Sequence, residues 1–365
     1  MSERAGERRR RKRVSAADVA AEAGVSRTTV SFVINNTPGK NISEATRQRV
    51  LSAAERLGYI PDQEARRIAM ARHHSIGLFI CHSQYVYSDA FISRVVEGMA
   101  QAVNRHRVRL VIHPVTLYEE SYLGLAQRDE VDGIVLINAH DDDPALADVV
   151  ESGFPAVTMD HLPELPLDQV YVDNRAAAEE MVQYLIDLDH RHIAMITHAS
   201  TVFAASRMRL EGYLDALAGA DISSREEWIG YGDFSEHSGY EAMSHILEAK
   251  PLPTAVFAGN DVVAYGAMRA AGDAGLAIPD DISIVGFDDD YLSRYLNPPL
   301  TTMALPASGM GSAAVSLLLR RVMEGDDEES EEGGQAEHDE ELSRIVLPCQ
   351  IAVRSSAARA SRVSR

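Results

Sequence analysis

The segment "VSRTTVSFVIN", residues 25–35, carries side chains that could read DNA bases. Arg27 can form two hydrogen bonds with the edge of a guanine, and Thr28 can contact a thymine methyl group or donate to an acceptor. Ser26 can cap a helix that begins directly after it. When the second helix of a two-helix DNA-binding motif lies in the major groove, its N-terminal side chains meet base edges. The residue types therefore indicate contact with duplex DNA.

The charge distribution supports this interpretation. Residues 1–72 contain 15 Lys and Arg against 8 Asp and Glu, whereas the remaining residues contain 20 against 47. A basic front on a chain of net charge −20 favours phosphate binding that is confined to the front. The tail at residues 1–13, with its run "RRRRKR", is either a solvated, disordered segment or a basic arm that adds salt-sensitive affinity for DNA.

The composition excludes several classes of protein. The 365 residues are 45% hydrophobic and 25% charged, which is typical of a globular protein with two or three domains. No run of eighteen apolar residues occurs and no apolar region follows the charged N-terminus, so we expect a cytoplasmic protein without a membrane partner. The two cysteines, Cys81 and Cys349, lack the spacing of a disulfide framework or a zinc site.

The usual catalytic motifs are missing from the sequence. The patterns G-x-S-x-G, G-x-x-x-x-G-K-[ST] and H-E-x-x-H do not occur, so we expect no enzyme activity and no cofactor. "GMGSAA" at Gly309 contains a G-x-G, but no strand precedes it and the third glycine is missing, which favours close helix packing. His73, His74, Cys81 and His82 flank a predicted strand without a standard ligand spacing, so we expect no metal site.

Residues 14–60 have the pattern of three short helices. The stretch "AADVAAEAG" follows Ser15 and ends at Gly24, which supply a cap and a stop for a helix of about two turns. Ser26 caps a second helix and Ser43 caps a third. The expected packing residues are Val30, Val33 and Ile34 in the second helix, and Val50, Ala54 and Leu57 in the third. Two short helices joined by a tight glycine turn predict a helix-turn-helix with a core of its own.

From Ser75 onward, strand-length apolar runs alternate with helical stretches such as residues 91–103 and 176–188. The runs are "SIGLFI", "RLVIHPV", "DGIVLI", "PAVTM", "HIAMIT", "TAVFAG" and "SIVGF". This alternation predicts parallel, doubly wound sheets, and roughly ten strands exceed one open sheet, so we expect two sheets with a cleft between them. Residues 324–341 hold eleven acids and no Lys or Arg, which predicts a disordered surface loop.

Six stretches carry a family resemblance. They are "SAADVAAEAGVSRTTVSFVINNTPG", "SEATRQRVLSAAERLGYIPD", "LIDLDHRHIAMI", "SRMRLEGYLDAL", "VFAGNDVVAYGAMRAAGDAGLAIPDDISIVGFDD" and "NPPLTTM". In that order they resemble the LacI/GalR (lactose-repressor/galactose-repressor) family of bacterial transcription regulators. The resemblance implies an N-terminal all-α helix-turn-helix head, a hinge over residues 61–74, and an α/β periplasmic-binding-protein-like core of two Rossmann-like lobes over residues 75–365. It also implies a homodimer that binds double-stranded, palindromic operator DNA as a repressor and responds to a small-molecule effector.

The resemblance assigns DNA contacts to the second helix. Arg27, Thr28 and Phe32 match base-reading positions. The positions that contact phosphates or support the helix hold Ser26, Thr29, Ser31 and Asn35. Phe32 departs from the polar or basic residue that is commoner there, and it either packs on a thymine methyl group or extends the core.

The stretch "YIPDQEARRIAMARHH" matches the family's hinge helix, which forms when two protomers meet over the operator. Ala65 and Ile68 match its alanine and its leucine, the side chain that enters the minor groove and bends the DNA. Ile68 is β-branched where leucine is usual, and Asp62 brings an acid near phosphates. The alternative interpretation is an ordinary linker turn.

The resemblance also places an effector in the cleft of the core. The matching residues are Asp160, Arg209, Phe234, Asn260 and Asp288. Each follows a strand or begins a helix, which is where ligands bind in open α/β sheets. Arg, Asn and Asp side chains supply donors and acceptors for hydroxyl groups, and Phe234 supplies a flat apolar face, so we expect a sugar, a glycoside, a nucleoside or a similar polyol. Asn260 and Asp288 have a second interpretation as helix caps. In the first lobe, "CHSQYVYSDAF" replaces the usual loop, so no ligand residue is predicted there.

The expected mechanism is allosteric. An effector that closes the two lobes would change the dimer interface and thereby the pairing of the hinge helices, at a coupling of about 1–3 kcal/mol. Two other functions remain as alternatives. A solute-binding protein without a role on DNA shares the core but leaves the front 72 residues unexplained, and an enzyme on a Rossmann-like scaffold lacks its motifs.

Overall fold

The computed structural model describes residues 16–34, 42–57, 74–82, 86, 89–116, 118–330 and 342–360. The chain forms two compact units, whose boundary lies between His73 and His74. Of the predicted DNA contacts, Asn35, Ala65 and Ile68 lie outside the described residues. Residues 61–73 of the predicted hinge lie outside them as well.

The first unit contains the helices α1 (Ala16–Ala23), α2 (Arg27–Ile34) and α3 (Glu44–Leu57). Gly24 follows α1 with φ +65°, a conformation that glycine adopts without steric cost. The hydroxyl oxygens of Ser26 and Ser43 accept hydrogen bonds from the backbone N–H groups of Thr29 (3.1 Å) and Thr46 (3.3 Å). Both predicted caps are therefore confirmed.

Small apolar side chains from all three helices form the core of the first unit. The buried residues are Val19, Ala20, Ala23, Val30, Val33, Val50, Ala53 and Ala54. Four of the predicted packing residues are in this set, Leu57 packs against it, and the side chain of Ile34 lies outside the described residues. Because Val30 and Val33 face the core, the opposite side of α2 faces solvent.

The second unit is an α/β domain of two six-stranded sheets. Its strands are β1 (Ser75–Ile80), β2 (Arg109–Pro114), β3 (Gly133–Ile137), β4 (Ala156–Thr158), β5 (Asp168–Tyr171), β6 (Ile193–Thr197), β7 (Ile229–Tyr231), β8 (Ala255–Ala258), β9 (Ser283–Asp288), β10 (Thr301–Ala304), β11 (Arg344–Val346) and β12 (Gln350–Ala352). The first lobe has the strand order β11-β5-β4-β3-β1-β2, and the second has β12-β10-β9-β8-β6-β7.

Helices connect most of these strands. They are α4 (Ala90–His106), α5 (Tyr122–Arg128), α6 (Pro144–Ser152), α7 (Asn174–Asp187), α8 (Ala204–Gly219), α9 (Glu236–Ile246), α10 (Asp261–Asp273) and α11 (Ala307–Ser330). Two short 3-10 helices cover Glu226–Trp228 and Tyr291–Tyr295. Among the described helices, none combines the length and apolar character that crossing a bilayer requires.

The two predicted sheets are confirmed, with one correction. All described strand pairs are parallel except β10 and β12, which are antiparallel. β12 reaches the edge of the second sheet directly from β11 without a crossover helix, so the rule that links helical crossovers to parallel pairing does not apply to it. Every residue of β1, β3 and β9 is buried, so these strands are covered on both faces and their sequences are continuous apolar runs.

The chain passes between the lobes after β5, after β10 and between β11 and β12. Following the first passage, α7 packs against β8 and β10 of the second lobe. Following the second, α11 returns to pack against β3, β4, β5 and α4 of the first lobe. These three connections join the two lobes.

Close packing of α4 against α11 depends on two glycines. A Cβ atom on Gly98 would lie 1.9 Å from the backbone oxygen of Ser308, and one on Gly311 would lie 2.3 Å from that of Val95. The prediction that "GMGSAA" reflects close helix packing is therefore confirmed for its second glycine, Gly311. A Cβ atom on Gly309 would meet only Pro306, at 3.8 Å.

The acidic segment 324–341 needs a correction. The backbone of α11 continues to Ser330, so the first seven residues of the predicted loop are helical. Glutamate is a good helix former, and a helix that is already anchored by packing extends at little cost per residue. Residues 331–341 lie outside the described residues.

Candidate functional site

The first turn of α2 presents polar side chains to solvent. Arg27 and Thr28 are exposed, and Thr29 is half-buried with its hydroxyl 2.9 Å from that of Ser26. This arrangement leaves the Arg27 guanidinium and the Thr28 side chain accessible to a groove of DNA, while Val30 anchors the helix in the core. Ser31 belongs to α2 by its backbone, and its side chain lies outside the described residues. Phe32 is half-buried, which keeps both interpretations of it open.

The five predicted effector residues converge on one pocket between the two sheets of the second unit. Asp160 follows β4, Phe234 follows β7, and Asp288 ends β9. Asn260 precedes α10, and Arg209 lies in the second turn of α8 rather than at its start. The pocket measures about 550 Å³, including the part that is open to solvent.

Arg209 is the centre of the polar network in this pocket. Its guanidinium donates to Asn174 Oδ1 at 2.9 Å and to the backbone oxygen of Gly259 at 2.5 Å, and it lies 3.7 Å from Asp288 Oδ1. Its central carbon lies 3.8 Å from the centroid of the Phe287 ring. Because the group is buried and held on several sides, its remaining donors are fixed toward the pocket rather than free to rotate.

The two buried aspartates of the pocket have perturbed acidities. Burial raises the pKa of Asp160 to about 7, although its carboxylate accepts hydrogen bonds from the Ala139 N–H (2.9 Å) and the Thr158 hydroxyl (3.3 Å). Burial also raises the pKa of Asp288 well above its ordinary value, against the opposing effect of Arg209. Both carboxyl groups can therefore change charge when a guest alters their hydration.

Two of the five residues have an unusual backbone conformation. Phe234 has φ +69° and Asp288 has φ +114°, and Asn138, which also lines the pocket, has φ +59°. Such conformations cost free energy in residues other than glycine and gather at ligand sites. Asn260 does cap α10, since its Oδ1 accepts a hydrogen bond from the Val263 N–H at 2.8 Å, and it lines the pocket as well. The helix after Asp288 is capped instead by Asp290.

Comparisons with known proteins agree with this arrangement. Residues 15–62 match the family model "Bacterial regulatory proteins, lacI family", and residues 182–357 match "Periplasmic binding protein-like domain". The regulator CelR of Thermobifida fusca is 33% identical over 319 residues, which cover 86% of this chain and 93% of that protein. The chain belongs to the LacI family. It is a DNA-binding transcriptional regulator and not an enzyme, and the match of the head decides against a solute-binding protein without a role on DNA.

Other relatives of this LacI-family protein are similar over most of their length. The repressor PurR of Pectobacterium carotovorum is 37% identical over 308 residues, which cover 84% of this chain and 89% of that protein. A solved CelR–cellobiose complex has a TM-score of 0.70 at 31% identity and covers 94% of this chain and 100% of that one. The lac repressor dimer bound to operator and the anti-inducer ONPF has a TM-score of 0.80 at 27% identity, over 95% of this chain and 100% of that one.

Four polar pocket residues of the LacI-family core were missed in the sequence, and one of them is Asn138, described above. Asp89, Asn174 and His198 also line the pocket. Asn174 and His198 lie just after β5 and β6, and Asp89 caps α4, so the carboxyl-end rule that selected Asp160 could have selected them too. Asp89 lies in the first-lobe loop that departs from the family pattern.

Aromatic rings connect the two lobes at the mouth of the pocket. His82, from the first lobe, stacks on Phe234 with centroids 4.6 Å apart. Phe203 meets Phe234 edge to face at 5.2 Å and meets His140 of the first lobe at 4.6 Å. A flat guest that approaches Phe234 must therefore use its uncovered face or displace His82.

The histidines and cysteine that could suggest a metal site have separate surroundings. His74 lies 3.7 Å from a carboxylate oxygen of Asp132, whereas Cys81 lies 3.3 Å from the hydroxyl of Tyr122. Burial raises the pKa of the Cys81 thiol. His82 faces the cleft, and His73 lies outside the described residues.

Proposed function

We propose that this regulator is a cytoplasmic repressor that binds a palindromic operator as a homodimer and changes its operator affinity when a neutral polyol occupies the cleft. The proposed domains are a basic tail (1–13), a DNA-binding head (14–60), a hinge (61–74) and an effector-binding and dimerisation core (75–365). The proposed effector contacts are Asp160, Arg209, Phe234, Asn260 and Asp288. The proposed DNA contacts are Ser26, Arg27, Thr28, Thr29, Ser31, Phe32 and Asn35 in the head, with Ala65 and Ile68 in the hinge.

The composition of the pocket carries this proposal. Arg209 and Asn260 bring fixed donors, Asp160 and Asp288 bring acceptors, and Phe234 brings an apolar ring to one space of about 550 Å³. A sugar has the matching surface, since its hydroxyl groups donate and accept around its rim and its C–H groups form an apolar face. Among the relatives, the CelR structure contains cellobiose and a regulator of Enterococcus faecium contains ribose.

A route for coupling exists within the core. The guanidinium of Arg94, on α4 of the first lobe, donates to the backbone oxygens of Asp288 (2.8 Å), Asp289 (2.9 Å) and Leu305 (2.9 Å). Asp288 and Leu305 line the pocket, so a guest that moves either residue also moves the anchor of α4. These contacts support a change in the arrangement of the lobes when a guest binds. If this change is coupled to DNA binding by about 1–3 kcal/mol, it alters operator affinity by roughly 5- to 150-fold.

A thermal-shift screen of neutral pentoses, hexoses, disaccharides and nucleosides tests the effector class. A guest at 100 times its dissociation constant stabilises the native state by about 2.7 kcal/mol, which raises the melting temperature measurably. We expect at least one polyol to raise it for the unaltered protein and to lose this effect in the Arg209→Ala variant. If no polyol stabilises the protein, or if hits stabilise the variant equally, the proposed effector site is wrong.

A further inference from the structure

His198 occupies an unusual position in the pocket wall. It follows β6 directly, its side chain is only 5% exposed, and it lines the same pocket as Arg209. Its Nδ1 atom is buried and forms no hydrogen bond with any residue that the structure describes. A buried polar atom of this kind destabilises a protein unless something else pairs with it, so the position needs an explanation.

The surroundings hold this ring in place. Phe234 meets it edge to face at 5.5 Å, and the Phe234 N–H donates to the backbone oxygen of His198 at 2.7 Å. Burial and the neighbouring Arg209 and His82 lower the pKa of His198 well below its ordinary value, so the imidazole is neutral. A neutral imidazole has one nitrogen that donates and one that accepts.

His190 provides a comparison in the same lobe. It is also buried, but both of its ring nitrogens are paired, Nδ1 with the Thr254 hydroxyl at 2.9 Å and Nε2 with the backbone oxygen of Ala358 at 2.9 Å. His190 is thus a structural histidine whose hydrogen bonds are complete within the described residues. His198 differs in two ways: its Nδ1 atom has no hydrogen-bond partner among the described residues, and the residue lies in the wall of a ligand pocket.

We propose that His198 is a specificity-determining residue of the effector site, and that its imidazole forms a hydrogen bond with a hydroxyl group of the bound polyol. A hydroxyl group both donates and accepts, so it can pair with an imidazole nitrogen in either tautomer. A carboxylate or phosphate only accepts, and it would also meet the carboxyl groups of Asp89, Asp160 and Asp288 in the same pocket. This inference rests on the proposed function and narrows it to a guest that offers a hydroxyl group at this point.

The test compares three variants of the full chain: His198→Leu, His198→Asn and the matched control His190→Leu. The probes are cellobiose, ribose and a panel of neutral hexoses and disaccharides, and their affinities are measured by isothermal titration calorimetry. For the panel member that binds the unaltered protein, we expect His198→Leu to weaken binding about 5- to 10-fold, the worth of one hydrogen bond. His198→Asn keeps a side chain that can donate and accept a hydrogen bond, so it should recover at least half of that loss on a logarithmic scale.

Melting temperatures without sugar separate a binding role from a structural one. His198→Leu removes an unpaired polar atom, so its melting temperature should not fall. His190→Leu breaks two hydrogen bonds, so its melting temperature should fall while its sugar affinity stays unchanged.

The outcomes distinguish this inference from the proposed function. If a sugar binds the unaltered protein and binds His198→Leu within twofold as tightly, His198 is not a contact and the proposed function stands. His198 is likewise excluded as a contact if His198→Leu loses stability as His190→Leu does, or if His198→Asn recovers nothing. If no sugar in the panel binds the unaltered protein, the proposed effector class fails and this inference fails with it.

Discussion

Replacing Arg209 with alanine should destabilise the core by about 3–5 kcal/mol. The buried guanidinium pairs with Asp288 and donates to Asn174 and to the Gly259 backbone. Removing one partner of a buried ion pair costs about 3–5 kcal/mol, because the remaining carboxyl group is then buried without its partner, either as a charge or after taking up a proton. The hydrogen bonds to Asn174 and Gly259 are lost in the same event, and since these effects share one desolvation cost, their separate values do not add.

The measurement is urea denaturation followed by tryptophan fluorescence. The chain has one tryptophan, Trp228, and it is buried in the second lobe, the lobe that contains Arg209. A loss of about 3–5 kcal/mol leaves a domain with a free energy of unfolding of about 10 kcal/mol, the middle of the usual range, folded in the absence of urea. In the Arg209→Ala variant we expect operator binding to persist and the response to the effector to disappear.

A double variant shows whether the buried charge is responsible. Adding Asp288→Asn to Arg209→Ala removes the uncompensated carboxylate and should restore at least about 1 kcal/mol of the free energy of unfolding. The buried ion pair is refuted as the source of the stability if Arg209→Ala costs less than about 1 kcal/mol, or if the double variant is no more stable than the single one.

Three further predictions concern the head, the hinge and the acidity of the pocket. Arg27→Ala should lose about 1–3 kcal/mol of discrimination between operator and altered sites, and an unchanged preference in a gel shift would contradict this role. Ile68→Gly should weaken operator binding and leave nonspecific binding almost unchanged, whereas equal losses on both would speak against a minor-groove wedge. Asp160 has a pKa of about 7 when folded, above its unfolded value, so its stabilising contribution is complete below about pH 4 and is lost as the pH rises through 7. Between pH 5 and 8 the free energy of unfolding should fall by about 2–3 kcal/mol more than in Asp160→Asn, and parallel pH curves from urea denaturation would contradict it.

Much of the fold could be predicted because the local signals are strong. Ser26, Ser43 and Gly24 mark helix ends through their own hydrogen bonding and backbone freedom, without help from distant residues. Strands buried on both faces, such as β1, appear as unbroken apolar runs. The antiparallel pairing of β12 could not be predicted, because it depends on where the chain arrives after its last passage between the lobes.

The candidate site was only partly predictable for a related reason. Asp160 and Asp288 lie at the carboxyl ends of recognisable strands, one in each sheet, so their position at a ligand-binding edge could be inferred. His198 and Asp89 lie at equivalent places, but whether they face the pocket depends on how the two lobes meet across it. Charge composition alone does not predict the extension of α11 into the acidic segment, because this extension arises from helix propagation beyond a packed end.

The most direct test of effector-controlled DNA binding is the affinity of the full-length protein for a DNA site selected from a random pool, measured by fluorescence anisotropy with and without a polyol that stabilises the core. We predict a salt-dependent preference for a palindromic site and a roughly 5- to 150-fold change in affinity when the polyol is present. Equal binding to all DNA sequences, or an affinity that no core-stabilising polyol alters, would contradict the proposed regulation.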